Sequence, residues 1–203
     1  MLQELTHLIF TQENLFVLLI VIAGGIIRGY TGFGSGLVMV PLFSLMWSPV
    51  DAVATTCGLG LFAAVQLTIS TVKYTKWREI SPMIVALLCV TPIGTFFLVA
   101  LDPAIVKKVI AGLVLFVTLI SLRGWQYSGP RGMFPSFVAG SIGAFINGLA
   151  AVGGPAVVLY FLSLPDEVRV QRSNITTIAS LMGVAVFSFT FLSGHVGPDV
   201  WWY

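Results

Sequence analysis

Hydrophobic residues fall in six long runs along this chain, separated by short polar segments. The runs cover 14–47, 51–72, 80–100, 104–122, 134–164 and 174–193. A helix that crosses a membrane needs about 20 apolar residues to span a hydrocarbon core of about 30 Å. Four of the six runs have that length. The pattern therefore predicts an all-α integral membrane protein.

The first and fifth runs are too long for one straight crossing, with 34 and 31 residues. Each contains helix-breaking residues near its middle: a glycine-rich stretch at 29–36 in one, and glycines with a proline at 148–155 in the other. We expect each run to form two helical pieces joined by an irregular turn at membrane depth. Such a turn is tolerated only where it is buried in protein or lines a wet cavity.

The two broken runs resemble each other, which predicts an internal repeat. Gly29 and Gly148 are 119 positions apart, and each is followed at the same spacing by a second glycine cluster and a short apolar segment. The repeats would be residues 1–122 and residues 134–203, joined by a cytoplasmic linker at 123–133. Repeat symmetry also predicts that the second repeat lacks its last two helices, about 50 residues.

Charges between the runs predict opposite orientations for the two repeats. Positive residues favour the cytoplasmic side, and the segments 73–79, 123–133 and 165–173 carry most of the Lys and Arg residues. The N-terminal segment has Glu4 and Glu13 without a positive residue, which suits the outside. These placements agree only if each broken run is a hairpin that returns to its own side. Inverted repeats with broken helices are typical of secondary transporters.

Composition supports the membrane interpretation and excludes other classes. Hydrophobic residues make up 57% of the chain and charged residues 9%, with a mean hydropathy of +0.99 and a net charge of only +2. A soluble domain carries about 25% charged residues, and a nucleic-acid partner would need a basic patch. His7 and His195 lack any ligand spacing, and no enzyme motif is present. We expect no enzyme activity, no cofactor and no metal.

The candidate site is the pair of helix breaks. The first N–H groups of a helix have no partner within it and carry the positive end of its dipole, which makes an anion site. Gly34, Ser35, Gly36 and Leu37 would supply such groups in one repeat, and Gly153, Gly154 and Ala156 in the other. The candidate substrate-binding residues are Arg28, Thr31, Gly32, Gly34, Ser35, Gly36, Asn147, Gly148, Gly153, Gly154 and Pro155.

Arg28 is the most informative single residue, because it lies inside a hydrophobic run immediately before the first break. A charge at membrane depth is costly and marks a functional site by default. Its planar guanidinium suits carboxylate, sulfonate or phosphate oxygens. The structural alternatives are that Arg28 snorkels to the surface or caps the carbonyl groups that end the first helical piece.

Structural alternatives exist for the other residues as well. The pairs Gly25 with Gly29 and Gly32 with Gly36 fit small-residue helix packing, as does the trio Gly140, Ala144 and Gly148. Five polar residues would cap helix starts in the simplest interpretation: Thr55, Thr56, Asn174, Thr176 and Thr177.

The glycine motifs also resemble a known family. The stretch from Gly25 to Gly36, followed by Val40-Pro41-Leu42, is similar to the first signature of the sulfite exporter TauE/SafE family. Asn147-Gly148, the cluster at 152–155 and Tyr160 resemble the second. The resemblance implies a bacterial inner-membrane carrier of sulfite, sulfonates or related anions, with a substrate site at Gly32–Gly36 and Gly153–Pro155. Ser35 replaces a glycine of the family pattern.

These observations favour a secondary transporter, with an exporter implied by the family, that moves small sulfur-containing anions across the lipid bilayer by alternating access. No Asp or Glu lies deep within a hydrophobic run, so no proton-coupling carboxylate is indicated. Two other classes remain. An uncoupled anion channel could use the same site. A membrane-embedded enzyme or assembly subunit would require a polar cluster or metal set inside the bundle, which the sequence does not offer.

Overall fold

The computed structural model of this chain describes residues 12–124 and 127–194, and within them the secondary structure is helical. Glu4, His7, His195 and the aromatic residues 201–203 lie outside the described residues. Six of the described helices are long and apolar enough to cross a membrane, which confirms the predicted all-α membrane fold. The helices are α1 (Gln12–Thr31), α2 (Ser35–Met46), α3 (Pro49–Thr71), α4 (Trp77–Ala100), α5 (Pro103–Leu122), α6 (Met133–Ala150), α7 (Gly154–Leu162) and α8 (Val168–Leu192).

Both long hydrophobic runs break where the glycines predicted. Gly32 and Gly34 adopt φ angles of 83° and 88°, in the left-handed region that favours glycine. The second break uses Ala151, whose φ of 52° is unusual for a residue with a side chain. Pro155 then lies in the first turn of α7, where its missing N–H is harmless.

In the first hairpin, α2 folds back antiparallel along α1. Ile20 packs with Met39 and Phe43, and Gly24 lies against Met39 and Ser35. Residues farther along α1 therefore contact residues nearer the start of α2, as in two antiparallel helices. The turn between the two helices is only three residues long, at 32–34.

The second hairpin has the same form. Gly143 of α6 lies against Val157 of α7, and the Tyr160 hydroxyl donates a hydrogen bond to the Gly132 carbonyl at 3.3 Å. Val157 thus contacts the middle of α6, whereas Tyr160, farther along α7, contacts the residue just before the start of α6. The helices α6 and α7 are therefore antiparallel as well.

Contacts with neighbouring helices show that the hairpin tips point toward each other. Ile20 packs with Ala52 near the start of α3, and the Arg28 guanidinium lies beside Gly60 farther along it, so α1 runs parallel to α3. Ser136 near the start of α6 donates to the Glu79 carbonyl near the start of α4. Because α3 ends where α4 begins, the two hairpins enter the bundle from opposite ends.

Close glycine contacts join α4 to α6. A Cβ added to Gly140 would lie 2.8 Å from the Met83 Cα, and one added to Gly148 would lie 2.7 Å from the Thr91 carbonyl oxygen. Ala144, between them on the same face, is fully buried. The small-residue packing predicted for this trio is confirmed. Gly25 and Gly29, by contrast, face open space, so the same interpretation is wrong for that pair within the described chain.

Helix starts differ from those expected at the threonines. Helix α3 begins at Pro49 with Ser48 as its N-cap, which accepts a hydrogen bond from the Asp51 N–H at 3.2 Å. Helix α8 begins at Val168. The five polar residues interpreted as caps of their own helices (Thr55, Thr56, Asn174, Thr176 and Thr177) are therefore helix-interior residues, and that interpretation is wrong. Asn174 instead accepts a hydrogen bond from the Lys76 N–H, at the start of α4.

An ion-pair cluster lies at one end of the bundle. This end, called here the charged end, contains the linkers 72–76, 127–132 and 163–167. Lys76 pairs with Asp166 at 2.6 Å and with Glu79 at 3.5 Å. Arg131 pairs with Glu79 and with Asp166. The hydrogen bond to Asp166 raises the pKa of Lys76. The cluster ties the ends of the second hairpin to the start of α4.

Gly148→Ala tests the α4–α6 contact. The added methyl would press on the backbone of α4, and overpacking of this kind costs about 1–3 kcal/mol. We expect a lower melting temperature for the purified protein in detergent. Gly25→Ala is the matched control, because its methyl meets no atom within 4 Å, and it should melt at or above the wild-type temperature. Equal melting of the two variants would contradict the packing described here.

Candidate functional site

The two helix breaks touch each other in the interior of the bundle. A Cβ added to Gly36, in the first turn of α2, would lie 2.0 Å from the Ala151 carbonyl oxygen. A Cβ added to Gly154, at the start of α7, would lie 2.8 Å from the ring of Phe33. Real Cβ atoms do not approach backbone oxygen this closely, so only glycine at position 36 lets the breaks meet as they do.

A cavity of about 40 Å³ lies between the two breaks. By the same measure one water molecule needs about 10–15 Å³, so the space accommodates roughly three water-sized groups. Seven of the eleven predicted site residues line it: Arg28, Gly34, Ser35, Gly36, Asn147, Gly154 and Pro155. The structure thus brings residues from both hairpins, 119 positions apart in the sequence, into one small space.

Arg28 supplies the formal positive charge of this cavity. Its side chain is half-buried at the end of α1, and Nη1 lies 3.5 Å from the Ser35 hydroxyl, the limit of a hydrogen bond. The buried Nε has no hydrogen-bond partner. A buried donor without a partner costs free energy. The guanidinium therefore lies partly buried beside Ser35 and Gly60, with a hydrogen-bond donor left unpaired.

The starts of α2 and α7 supply backbone donors. As first residues of their helices, Ser35, Gly36 and Gly154 have N–H groups without a carbonyl partner four residues earlier in the helix. Two of the N–H groups predicted to be available are already used. Leu37 donates to the Gly34 carbonyl at 3.1 Å, and Gly153 donates to the Asn147 side chain at 3.2 Å.

Four predicted residues lie beside the cavity without lining it. The Thr31 hydroxyl donates to the Ile27 carbonyl at 2.8 Å and lies 2.6 Å from that of Phe33, which stabilises the turn. Gly32 packs against the Thr176 hydroxyl, and Gly148 packs against α4. Gly153 lies against the Gly143 carbonyl of α6. These residues shape the breaks.

Sequence reasoning missed the contribution of α3. Thr56 and Cys57 line the cavity, and the Thr56 hydroxyl is buried without a hydrogen-bond partner. Gly60, one turn along, makes room for Arg28, because a Cβ there would lie 3.3 Å from Nη1. The available signal was the run of small and polar residues from Thr55 to Gly60 within a hydrophobic helix.

The described residues that line this cavity include no Asp, Glu or His. Across residues 12–124 and 127–194, no three His, Cys, Asp or Glu side chains lie close enough together to hold a metal ion. Chemically, the arrangement offers one guanidinium, hydroxyl donors and backbone N–H groups. Such a set binds the oxygen atoms of a small anion.

Comparison with known families agrees with this chemistry. The family described as "Sulfite exporter TauE/SafE" matches residues 16–203, nearly the whole chain. The chain belongs to this family. It is thus a multi-pass membrane protein of a sulfite and anion exporter family, whose members are transporters rather than enzymes. Comparisons with curated proteins and with solved structures gave no match.

Gly36→Ala tests whether the two breaks meet. Its methyl would collide with the Ala151 carbonyl, so we expect the hairpin tips to separate, the melting temperature to fall and the neighbouring Cys57 to become exposed. Labelling of Cys57 by a small thiol reagent should then be several-fold faster, measured in a Cys89→Ser background because Cys89 is exposed.

The matched control for this experiment is Gly29→Ala, which adds the same methyl where no atom lies within 4 Å. It should label and melt like the parent protein. If Gly36→Ala behaved like Gly29→Ala, the contact between the breaks would be wrong.

Proposed function

We propose that this chain exports small sulfur oxyanions, sulfite first among them, as a secondary transporter that works by alternating access. The observation that carries the proposal is the meeting of two helix breaks around a cavity, where the described residues supply one guanidinium and no carboxylate. Membership of the TauE/SafE family supports an anionic substrate. The cavity volume of about 40 Å³ supports a small substrate.

In this proposal Arg28 neutralises the bound anion, and the helix starts hold its oxygen atoms. The N–H groups of Ser35 and Gly36 come from one hairpin and that of Gly154 from the other. Sulfite has three oxygens around one sulfur, which suits a space for roughly three water-sized groups. The Asn147 side chain lines the cavity and fixes Gly153 in the second break.

Alternating access would follow from an inverted repeat. Residues 1–122 and 134–203 would form the two repeats, with 123–133 as the linker. The opposite approach of the two hairpins supports this division, because inverted repeats place their broken helices on either side of one central site. Movement of one hairpin against the other would open the cavity to each side in turn.

Charge distribution supports an orientation with the charged end in the cytoplasm of a bacterial cell and the N-terminus outside. Seven of the ten Lys and Arg residues belong to the linkers and helix ends on this side. Positive residues favour the cytoplasmic face of a membrane. The location that we propose is the bacterial inner membrane.

Counterflow in proteoliposomes tests the transport mechanism. Vesicles that contain the purified full chain are loaded with unlabelled sulfite and diluted into a trace of radiolabelled sulfite. A carrier exchanges the two and transiently accumulates label above its equilibrium level. An uncoupled channel shows no such overshoot, so its absence in vesicles that pass sulfite would favour the channel alternative.

Arg28→Ala should weaken sulfite binding about ten- to a hundredfold, since a charged hydrogen bond contributes about 1.5–3 kcal/mol. Arg28→Lys keeps the charge but loses the planar donors, so it should bind with intermediate affinity. Arg78→Ala, on the exposed surface of the charged end, is the control and should bind normally. Titration calorimetry checks all three, and unchanged affinity in Arg28→Ala would remove Arg28 from the site.

A further inference from the structure

The charges around the cavity define which ionic form of an anion it can hold, an inference that rests on the proposed function. Among the described residues that line the cavity, Arg28 is the one with a formal charge. The other titratable residue there is Cys57 on α3, a buried thiol that behaves as a small apolar group. The residues that α2, α6, α7 and α8 contribute to the lining do not titrate.

Helix dipoles add little to the net charge of the cavity. Each helix N-terminus carries a partial charge of about +0.5 and each C-terminus about −0.5. Each break joins the C-terminus of one helix to the N-terminus of the next, α1 to α2 and α6 to α7. The positive and negative ends therefore offset each other, although the N–H groups still direct the oxygens of a ligand.

The other Lys and Arg side chains of the described residues do not line this cavity. Arg172 on α8 reaches the Gly29 carbonyl at 3.4 Å, but its side chain is exposed and does not line the cavity. Lys76 and Arg131 belong to the ion-pair cluster with Glu79 and Asp166. Within residues 12–124 and 127–194, the lining of the cavity therefore provides one positive charge.

We propose that the site binds and transports monoanions, so that hydrogensulfite rather than the sulfite dianion is the species carried, and that it rejects dianions of the same shape. A monoanion beside Arg28 makes a neutral complex in the bundle interior. A dianion leaves one negative charge without a partner, and burying an unpaired charge is strongly unfavourable.

Methanesulfonate and sulfate form a matched pair for the test, because they share a tetrahedral outline and differ in charge. Titration calorimetry on the purified full chain should give at least tenfold tighter binding for methanesulfonate. Sulfite binding should weaken as rising pH converts hydrogensulfite to the dianion, whereas methanesulfonate binding should stay constant over the same pH range. This second measurement needs no variant.

A second cation at the edge of the cavity should reduce the preference. Gly183 on α8 lines the cavity, and a Cβ there meets no atom within 4 Å. Gly183→Lys adds a charge, and Gly183→Gln adds a chain of similar size without one. Gly183→Lys should reduce the preference for methanesulfonate over sulfate at least tenfold relative to Gly183→Gln.

The outcomes separate this proposal from the function on which it rests. Equal or tighter binding of sulfate by the wild-type protein would overturn monoanion selectivity and leave an anion transporter. A monoanion preference that Gly183→Lys does not reduce would also overturn it, since the preference would then not arise from charge. Binding of neither anion and no binding of sulfite at any pH would overturn the anion site itself.

Discussion

A membrane interior offers no hydrogen bonds to the protein backbone, and this constraint explains the architecture of the bundle. A helix broken at membrane depth leaves N–H and C=O groups that must find partners in the protein. Part of this need is met locally, since the Gly32 N–H donates to the Arg28 carbonyl at 2.7 Å and the Ala151 N–H to that of Asn147 at 2.7 Å. Ser35 and Gly154, the first residues of α2 and α7, have N–H groups without a carbonyl partner four residues earlier in the helix, and both residues line one cavity. In the proposed function, these N–H groups hold the oxygen atoms of the anion.

The rest of the fold holds the breaks together. The hydrophobic effect does not drive helices together in lipid, because lipid tails are as apolar as the side chains. Helices associate there through close van der Waals packing, which small residues permit. The α4–α6 contact through Gly140 and Gly148 has this form, and it anchors the helix that leads into the second break. At the charged end, the pairs of Asp166 with Lys76 and Arg131 fix the segment that leaves α7. Gly36 then determines how closely the first break can approach the second.

Much of this architecture could be predicted from the sequence, because long apolar runs and glycine clusters are local signals. The spans, both breaks and the packing face of α6 were predicted in this way. The location of helix starts was not, because Ser48 and Pro49 define the start of α3 before the threonines that looked like caps. The position of Thr56 in the cavity lining was not predicted either. It depends on which face of α3 contacts Arg28, and that is a tertiary contact. The inverted relation of the repeats stays a prediction.

We propose that both breaks contribute to one anion site at Arg28, and locating a bound anion tests this arrangement most directly. Selenite is a chemical analogue of sulfite, and its selenium can be located by anomalous diffraction from crystals of the full chain. We expect one strong anomalous peak between Ser35 and Gly154, with the Arg28 guanidinium within hydrogen-bonding distance of its oxygens. A peak elsewhere in the bundle, or peaks confined to the exposed arginines of the charged end, would contradict the account.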